Sequence, residues 1–98
     1  MRSTVIDTAA IIAVGSELLT PYRADSNSLF LTARLNDLAI EVQGKVIVGD
    51  DQKRLALAIE RGLKDADLIV MTGGLGPTDD DITRETLATV LDVPLVER

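Results

Sequence analysis

The residues with the clearest chemical potential are Thr72-Gly73-Gly74-Leu75-Gly76-Pro77-Thr78-Asp79-Asp80-Asp81. They follow the apolar run Leu68-Ile69-Val70-Met71, so three glycines stand directly after a candidate buried strand. Glycine at such a place lets the backbone approach a ligand closely and turn its N–H groups toward an anion. The loop is not a Walker A sequence, because no Lys follows the last glycine. Nor is it G-x-G-x-x-G, which would follow the first strand. The same residues would also make a tight turn with acids capping the next helix, an arrangement worth ~0.3–1 kcal/mol. Three consecutive acids exceed what one cap requires, and that favours a functional reading.

Charge then sets the chemistry. A glycine nest and a helix start attract phosphate, whereas Asp79, Asp80 and Asp81 repel it. Two unit charges ~4 Å apart interact by ~4 kcal/mol at an effective dielectric of 20, enough to cancel much of the attraction. A divalent cation between carboxylates and phosphate oxygens reverses the sign. The pattern therefore points to a Mg²⁺-assisted pyrophosphate or phosphoester site. Two other loops carry similar groups, Gly15-Ser16-Glu17 and Gly49-Asp50-Asp51. An Asp pair after a strand also serves simply as a helix cap with a solvated neighbour. The stretch through Tyr22, Arg23 and Asp25 is long enough to cover a pocket, and Arg23 could meet a phosphate there.

Absent residue types narrow the choice. The sequence has no Cys and no His, which removes thiol nucleophiles, disulfides, zinc sites and Ser–His triads. Carboxylates, hydroxyls, backbone amides and a hard metal ion are left. Ten Lys and Arg against sixteen Asp and Glu give a net charge of −6 in 98 residues. Nucleic acid and anionic lipid both require a basic footprint, so neither is an expected partner. The longest apolar run, Ala9 to Val14, falls far short of the ~20 residues a membrane span needs. Met1-Arg2-Ser3-Thr4 lacks the long hydrophobic stretch of a signal peptide, and the cytoplasm is the expected compartment.

These loops need elements to position them. Ala9 to Val14 reads as a strand covered on both faces. Gly15 to Asn27 reads as loop, with Ser26 or Asn27 capping a helix that carries Leu31, Leu35 and Leu38, with Phe30 and Ala33 beside them. Glu41 to Val48 reads as a second strand interrupted by Gly44. Asp50 or Asp51 caps a helix whose Leu55, Ala58, Ile59, Gly62 and Leu63 form a buried stripe opposite Lys53, Arg54, Glu60 and Arg61. Leu68 to Thr72 is a third strand, and a third helix from Asp80 or Asp81 carries Ile82, Leu87, Val90 and Leu91 as far as Val93-Pro94. Such alternation predicts an α/β layered domain with a parallel sheet and right-handed crossovers. Open parallel sheets bind ligands at the carboxyl ends of their strands, where all three glycine-led loops would gather. Three strands make a narrow sheet. Either another copy completes it, giving a homo-oligomer, or these residues are the front portion of a longer domain.

Ile11-Ile12-Ala13-Val14-Gly15-Ser16-Glu17-Leu18-Leu19, Asp25-Ser26-Asn27, Val48-Gly49-Asp50-Asp51 and the Thr72–Thr78 loop followed by Asp80-Asp81 together resemble the N-terminal domain of the competence/damage-inducible CinA family. That domain lies within the molybdopterin-binding, MoaB/MogA-like superfamily. The resemblance covers nearly the whole chain in order. It implies a single domain over residues 1–98, a three-layer α-β-α sandwich around a mainly parallel sheet, incomplete at its C-terminus. By the same resemblance Gly15, Ser16, Glu17, Thr72, Gly73, Gly74, Gly76 and Thr78 would hold a pyrophosphate-bearing nucleotide or pterin. Asp81 matches the family's functional acid, with Asp50 or Asp51 as the second; Asp80, Asp81 and Asp50 would hold the metal. Molybdenum-cofactor relatives carry Thr where this chain has Leu75, and Arg where it has Asp80. Those departures favour the CinA branch, associated with metal-dependent ADP-ribose pyrophosphatase activity. A molybdopterin-binding module without hydrolysis is the alternative.

Overall fold

A computed structural model describes residues 5–21, 25–49, 51–73 and Thr86. Strand β1 (Thr8–Val14) is the middle of a three-stranded sheet, with β2 (Glu41–Val48) on one side and β3 (Leu68–Gly73) on the other. Both pairings are parallel. Helix α1 (Ser26–Asp37) joins β1 to β2, and α2 (Gln52–Asp65) joins β2 to β3.

The order β2-β1-β3 means the two crossovers run in opposite directions along the sheet. With right-handed connections, that reversal places the two helices on opposite faces. The packing agrees. Ala9 and Ile11 pack with Leu35 and Leu31 of α1, and with Ile40, Val42, Leu68 and Val70. Ile12 and Val14 pack with Leu55, Ala58 and Ile59 of α2, and with Val48, Ile69 and Met71. Alternate residues of the central strand therefore serve opposite layers, which is why this strand is apolar throughout. The expected α-β-α layering and parallel sheet are present.

Four local features differ from expectation. The interruption in β2 is a bulge: Ala9 pairs with Val42 and Ala10 with Gly44, leaving Gln43 as the extra residue. The bulge changes the parity of the strand, so Val42 can face α1 while Val48 faces α2. The stretch after Gly15 is not all loop, since Ser16–Leu19 forms a short 3-10 helix closed by Thr20 N–H donating to Glu17 O at 3.2 Å. Helix α1 is capped by Asp25 rather than Ser26 or Asn27: Ser28 N–H donates to Asp25 Oδ1 at 3.1 Å.

The fourth difference concerns the helix stripes. Leu35 is buried, but Leu38 is 71% exposed because it is the C-cap of α1, past the last helical residue. Phe30 and Ala33 also face outward rather than flanking the core. On α2, Leu55, Ile59 and Gly62 are buried, whereas Leu63 is half exposed. Eight residues beyond Leu55, it is rotated about 80° off the buried line at 3.6 residues per turn.

The amino edge of the sheet is tied by a side chain that no motif marks. Asp67 Oδ2 accepts from Asp7 N–H at 3.0 Å, Thr8 N–H at 3.3 Å and Thr8 Oγ1 at 3.3 Å, and Asp67 N–H donates to Thr8 Oγ1 at 3.0 Å. Of the expected third helix, Thr86 is helical and buried; Ile82, Leu87, Val90 and Leu91 lie outside the described residues.

Candidate functional site

The carboxyl edge of the sheet is built by register. Val14 pairs with Val48 on one side and Gly73 on the other, so the three following loops start abreast. Gly15 N–H donates to Val48 O at 2.9 Å, carrying the ladder one residue beyond β1. Gly73 has φ +77, and a Cβ built on it would overlap the carbonyl oxygen of Val14. Only glycine fits there, for backbone conformation and for space alike. The first glycine of the Gly73-Gly74-Leu75-Gly76 loop is thus set directly against the end of the central strand.

The other loops close on one another. A Cβ on Gly49 would stand 2.9 Å from Leu19 Cδ1 and 3.8 Å from Ser16 Oγ, so the 3-10 helix lies against the end of β2. The Glu17 carboxylate folds back over Gly15, its Oε1 2.7 Å from where a Cβ would stand. Gly15, Ser16, Glu17, Thr72 and Gly73 therefore share one edge, joined by Gly49. Gly49 was not among the expected ligand-holding residues. Its signal was present: it follows the last apolar residue of its strand, as Gly15 follows Val14.

Asp51 also stands at this edge, but its carboxylate is engaged. Oδ1 accepts from Lys53 N–H at 3.0 Å and Arg54 N–H at 3.2 Å, capping α2. Oδ2 lies 3.5 Å from Arg54 Nε in an exposed pair. Asp50, Gly74, Gly76, Thr78, Asp80, Asp81 and Arg23 lie outside the described residues. Among the described residues no group of three or more Asp or Glu could hold a metal ion.

The site has a positive element and an opening. Parallel strands send their chain into helix N-termini at the carboxyl edge, so α1 and α2 both begin here and present the positive ends of their dipoles. A strand order of 2-1-3 places the binding crevice of a doubly wound sheet between the first and third strands, where Gly15 and Gly73 stand. A groove of about 830 Å³ starts at Leu19, Gly49 and Arg54 and follows the seam between α2 and β2 to Lys64 and Asp65. Among the described residues, no helix is long and apolar enough to cross a membrane.

Comparison with known proteins bears on the family and the fold. Residues 10–98 match the family described as probable molybdopterin binding domain. The chain is 54% identical over 84 residues to a CinA-like protein of Solibacter usitatus, covering 86% of this chain and 20% of that protein. It is 51% identical over 88 residues to a putative competence-damage inducible protein of Bacillus cereus, covering 90% of this chain and 21% of that one. The chain thus spans about a fifth of the length of these curated relatives. Among solved structures, the CinA protein of Thermoplasma acidophilum, described as of unknown function, superposes with a TM-score of 0.82 at 33% identity. It is matched over 89% of this chain and 52% of its own. The molybdopterin biosynthesis enzyme MoaB of Thermus thermophilus gives a TM-score of 0.78 at 23% identity over 92% of this chain and 58% of its own, a likeness of fold.

Proposed function

Because this chain belongs to the family of probable molybdopterin binding domains, in its CinA-like form, we propose that the carboxyl edge of its sheet binds a pyrophosphate-bearing ligand and hydrolyses an ADP-ribose-like dinucleotide with a divalent metal. The observation that carries the binding part is the Gly73 backbone, held at positive φ against the Val14 carbonyl beside the start of the Gly15 loop. Backbone amides and two helix N-termini at that edge favour anionic oxygen.

The metal rests on the chemistry of the donors. Each of the three loops supplies carboxylates, the hard oxygen ligands that Mg²⁺ takes. Asp51, the alternative second acid, has its carboxylate at the α2 cap, and Asp50 is taken in its place. Asp50, Asp80 and Asp81 are the residues assigned to hold the ion. When bound, Mg²⁺ would neutralise phosphate charge that these acids otherwise repel. In the reaction, a water oxygen would bond to one phosphorus as the bridging P–O bond breaks, giving AMP and ribose 5-phosphate. Asp81, helped by Asp50, would orient that water and accept one proton from it, while Gly73, Gly74 and Gly76 would present N–H groups to the phosphates.

The direct test is AMP release from ADP-ribose with and without Mg²⁺. Metal-dependent release is expected; a folded protein silent in both conditions is no hydrolase. The cap role of Asp51 favours a second reading, since it leaves the second loop one acid fewer for catalysis. In that reading the same edge binds molybdopterin without cleaving it. Calorimetry separates the two: ADP-ribose affinity should depend on Mg²⁺, whereas a binding module should take molybdopterin with or without it.

A further inference from the structure

Helix α1 hides a hydroxyl that the core does not use. Ser28 is 2% exposed, and its Oγ has no hydrogen-bond partner. A buried hydroxyl in that condition costs stability, so its presence calls for a cause. Ser28 lies in the first turn of α1, where each Cα–Cβ bond tilts toward the helix N-terminus, so Oγ leans toward the start of the helix. Its level against the sheet follows from the packing. Leu35, on the same buried face, rests on Ala9 and Ile11. Ser28 comes seven residues earlier, which brings it about 10 Å nearer the carboxyl edge at 1.5 Å per residue. At ~3.3 Å per strand residue, that is the level of Ala13. Ala13 is fully buried and, alternating with Ala9 and Ile11, faces the α1 layer. So does its β3 partner Thr72, which alternates with Leu68 and Val70. Ser28 thus stands below the points where the Gly15 and Gly73 loops leave the sheet.

The groups beside Oγ select what it can bind. Asp25 Oδ1 accepts from Ser28 N–H at 3.1 Å, so a hydroxyl and a carboxylate stand on either side of one amide. A carboxylate at this place repels phosphate and offsets the positive end of the helix. It suits instead a group that donates, while the serine hydroxyl can donate or accept. Adjacent sugar hydroxyls meet both demands, one donating to the carboxylate and its neighbour bonding to Oγ. We propose that the start of α1 is a ribose subsite, in which Ser28 Oγ and the Asp25 carboxylate bind neighbouring hydroxyls of the ligand's sugar while the glycine loops hold its phosphates. The assignment rests on the reading of this edge as a nucleotide site and adds the sugar to it. Ser28 was not among the expected ligand-holding residues.

Two pairs of compounds test it, AMP with 2′-deoxy-AMP and ribose 5-phosphate with 2-deoxyribose 5-phosphate. Each pair differs by one hydroxyl, and none of the four has a pyrophosphate to cleave. Affinities are read from amide shifts of the full chain with Mg²⁺ present. In at least one pair the deoxy compound should bind about tenfold more weakly, the loss of one hydrogen bond. In Ser28→Ala the two members of that pair should bind alike, because the hydroxyl that tells them apart is gone. Melting supplies a second readout, which a merely structural serine would move the other way. Removing a buried hydroxyl that has no partner should raise the melting temperature of the ligand-free chain by about 4–8 °C. Failure to discriminate in either pair, or discrimination undiminished in Ser28→Ala, overturns the proposal. A lower melting temperature does so too, since Oγ would then be bonded within the chain. If ADP-ribose still moves Gly15 and Gly73 in those cases, only the sugar assignment falls. A chain whose Gly15 and Gly73 ignore ADP-ribose loses the nucleotide reading itself, and the subsite with it.

Discussion

Asp51 and Asp50 are neighbours in sequence with separate tasks in this account, which makes them an informative pair. The Asp51 side chain accepts two backbone N–H groups at the start of α2. Asp51→Ala should therefore cost about 1 kcal/mol, lowering the melting temperature by roughly 4–8 °C in a domain this small. Asp51→Asn keeps a capping oxygen and should restore most of that stability, with Mg²⁺-dependent ADP-ribose affinity unchanged. Asp50→Asn should leave melting nearly unchanged and remove the metal dependence. Melting curves and calorimetry on the three variants decide it; loss of metal dependence in a stable Asp51→Asn protein would contradict the assignment. Sequence alone left the capping role open between these two acids, because either precedes Gln52 closely enough. The backbone angles choose, since Asp51 is extended at φ −141 where an N-cap must be. At Gly73 the expectation is steeper. Gly73→Ala forces a side chain onto the Val14 carbonyl at positive φ and should cost about 1–3 kcal/mol, visible as a lower melting point together with weakened ligand binding. An unchanged melting point would show that the close approach is not maintained.

At the scale of elements, the strands and α2 were readable because each depends on local pattern: an apolar run for β1 and β3, a helical stripe with an acidic cap for α2. The end of α1 was not. Its last turn closes with Ile40 N–H donating to Leu35 O at 2.9 Å and Ala39 N–H to Asn36 O at 3.0 Å, the two bonds of a Schellman motif. Ala39 occupies the left-handed position at φ +63, where glycine is usual. Nothing in a Leu-Ala-Ile sequence announces that stop, so Leu38 looked like a further core position. Ala39→Gly should relieve the backbone strain and raise stability by about 0.5–1 kcal/mol after glycine's greater unfolded-state entropy is set against it. Thermal melting checks this; a lower melting temperature would mean that the turn is not strained. The Asp67 clamp was unreadable for a different reason. It joins residues 59 and 60 positions apart in sequence, and no local pattern carries such a pairing.

At the scale of the molecule, alternation of elements predicts the layered α/β class, but strand order is a global property. A β2-β1-β3 sheet differs from one with β3 beyond β2 only in which way the second crossover turns, and the helix stripes are the same in both. The order matters because it puts β1 in the centre and lets the Gly15 and Gly73 loops lie side by side. The candidate site was therefore readable as a set of loops, though not as neighbours. Overall charge adds a constraint of its own. A chain at −6 repels a pyrophosphate at long range, so affinity for ADP-ribose should depend on cation concentration, with Mg²⁺ more effective than monovalent salt of equal ionic strength.

The claim beneath all of this is spatial: the ligand sits at the carboxyl edge of the sheet. Amide chemical-shift mapping during titration with ADP-ribose and Mg²⁺ tests it most directly, because the two edges carry separate reporters. The account predicts shifts at Gly15, Ser16, Gly49 and Gly73, with Asp7, Thr8 and Asp67 unmoved. Shifts confined to Asp7, Thr8 and Asp67 would contradict it, as would saturating ligand with no response at Gly15 or Gly73.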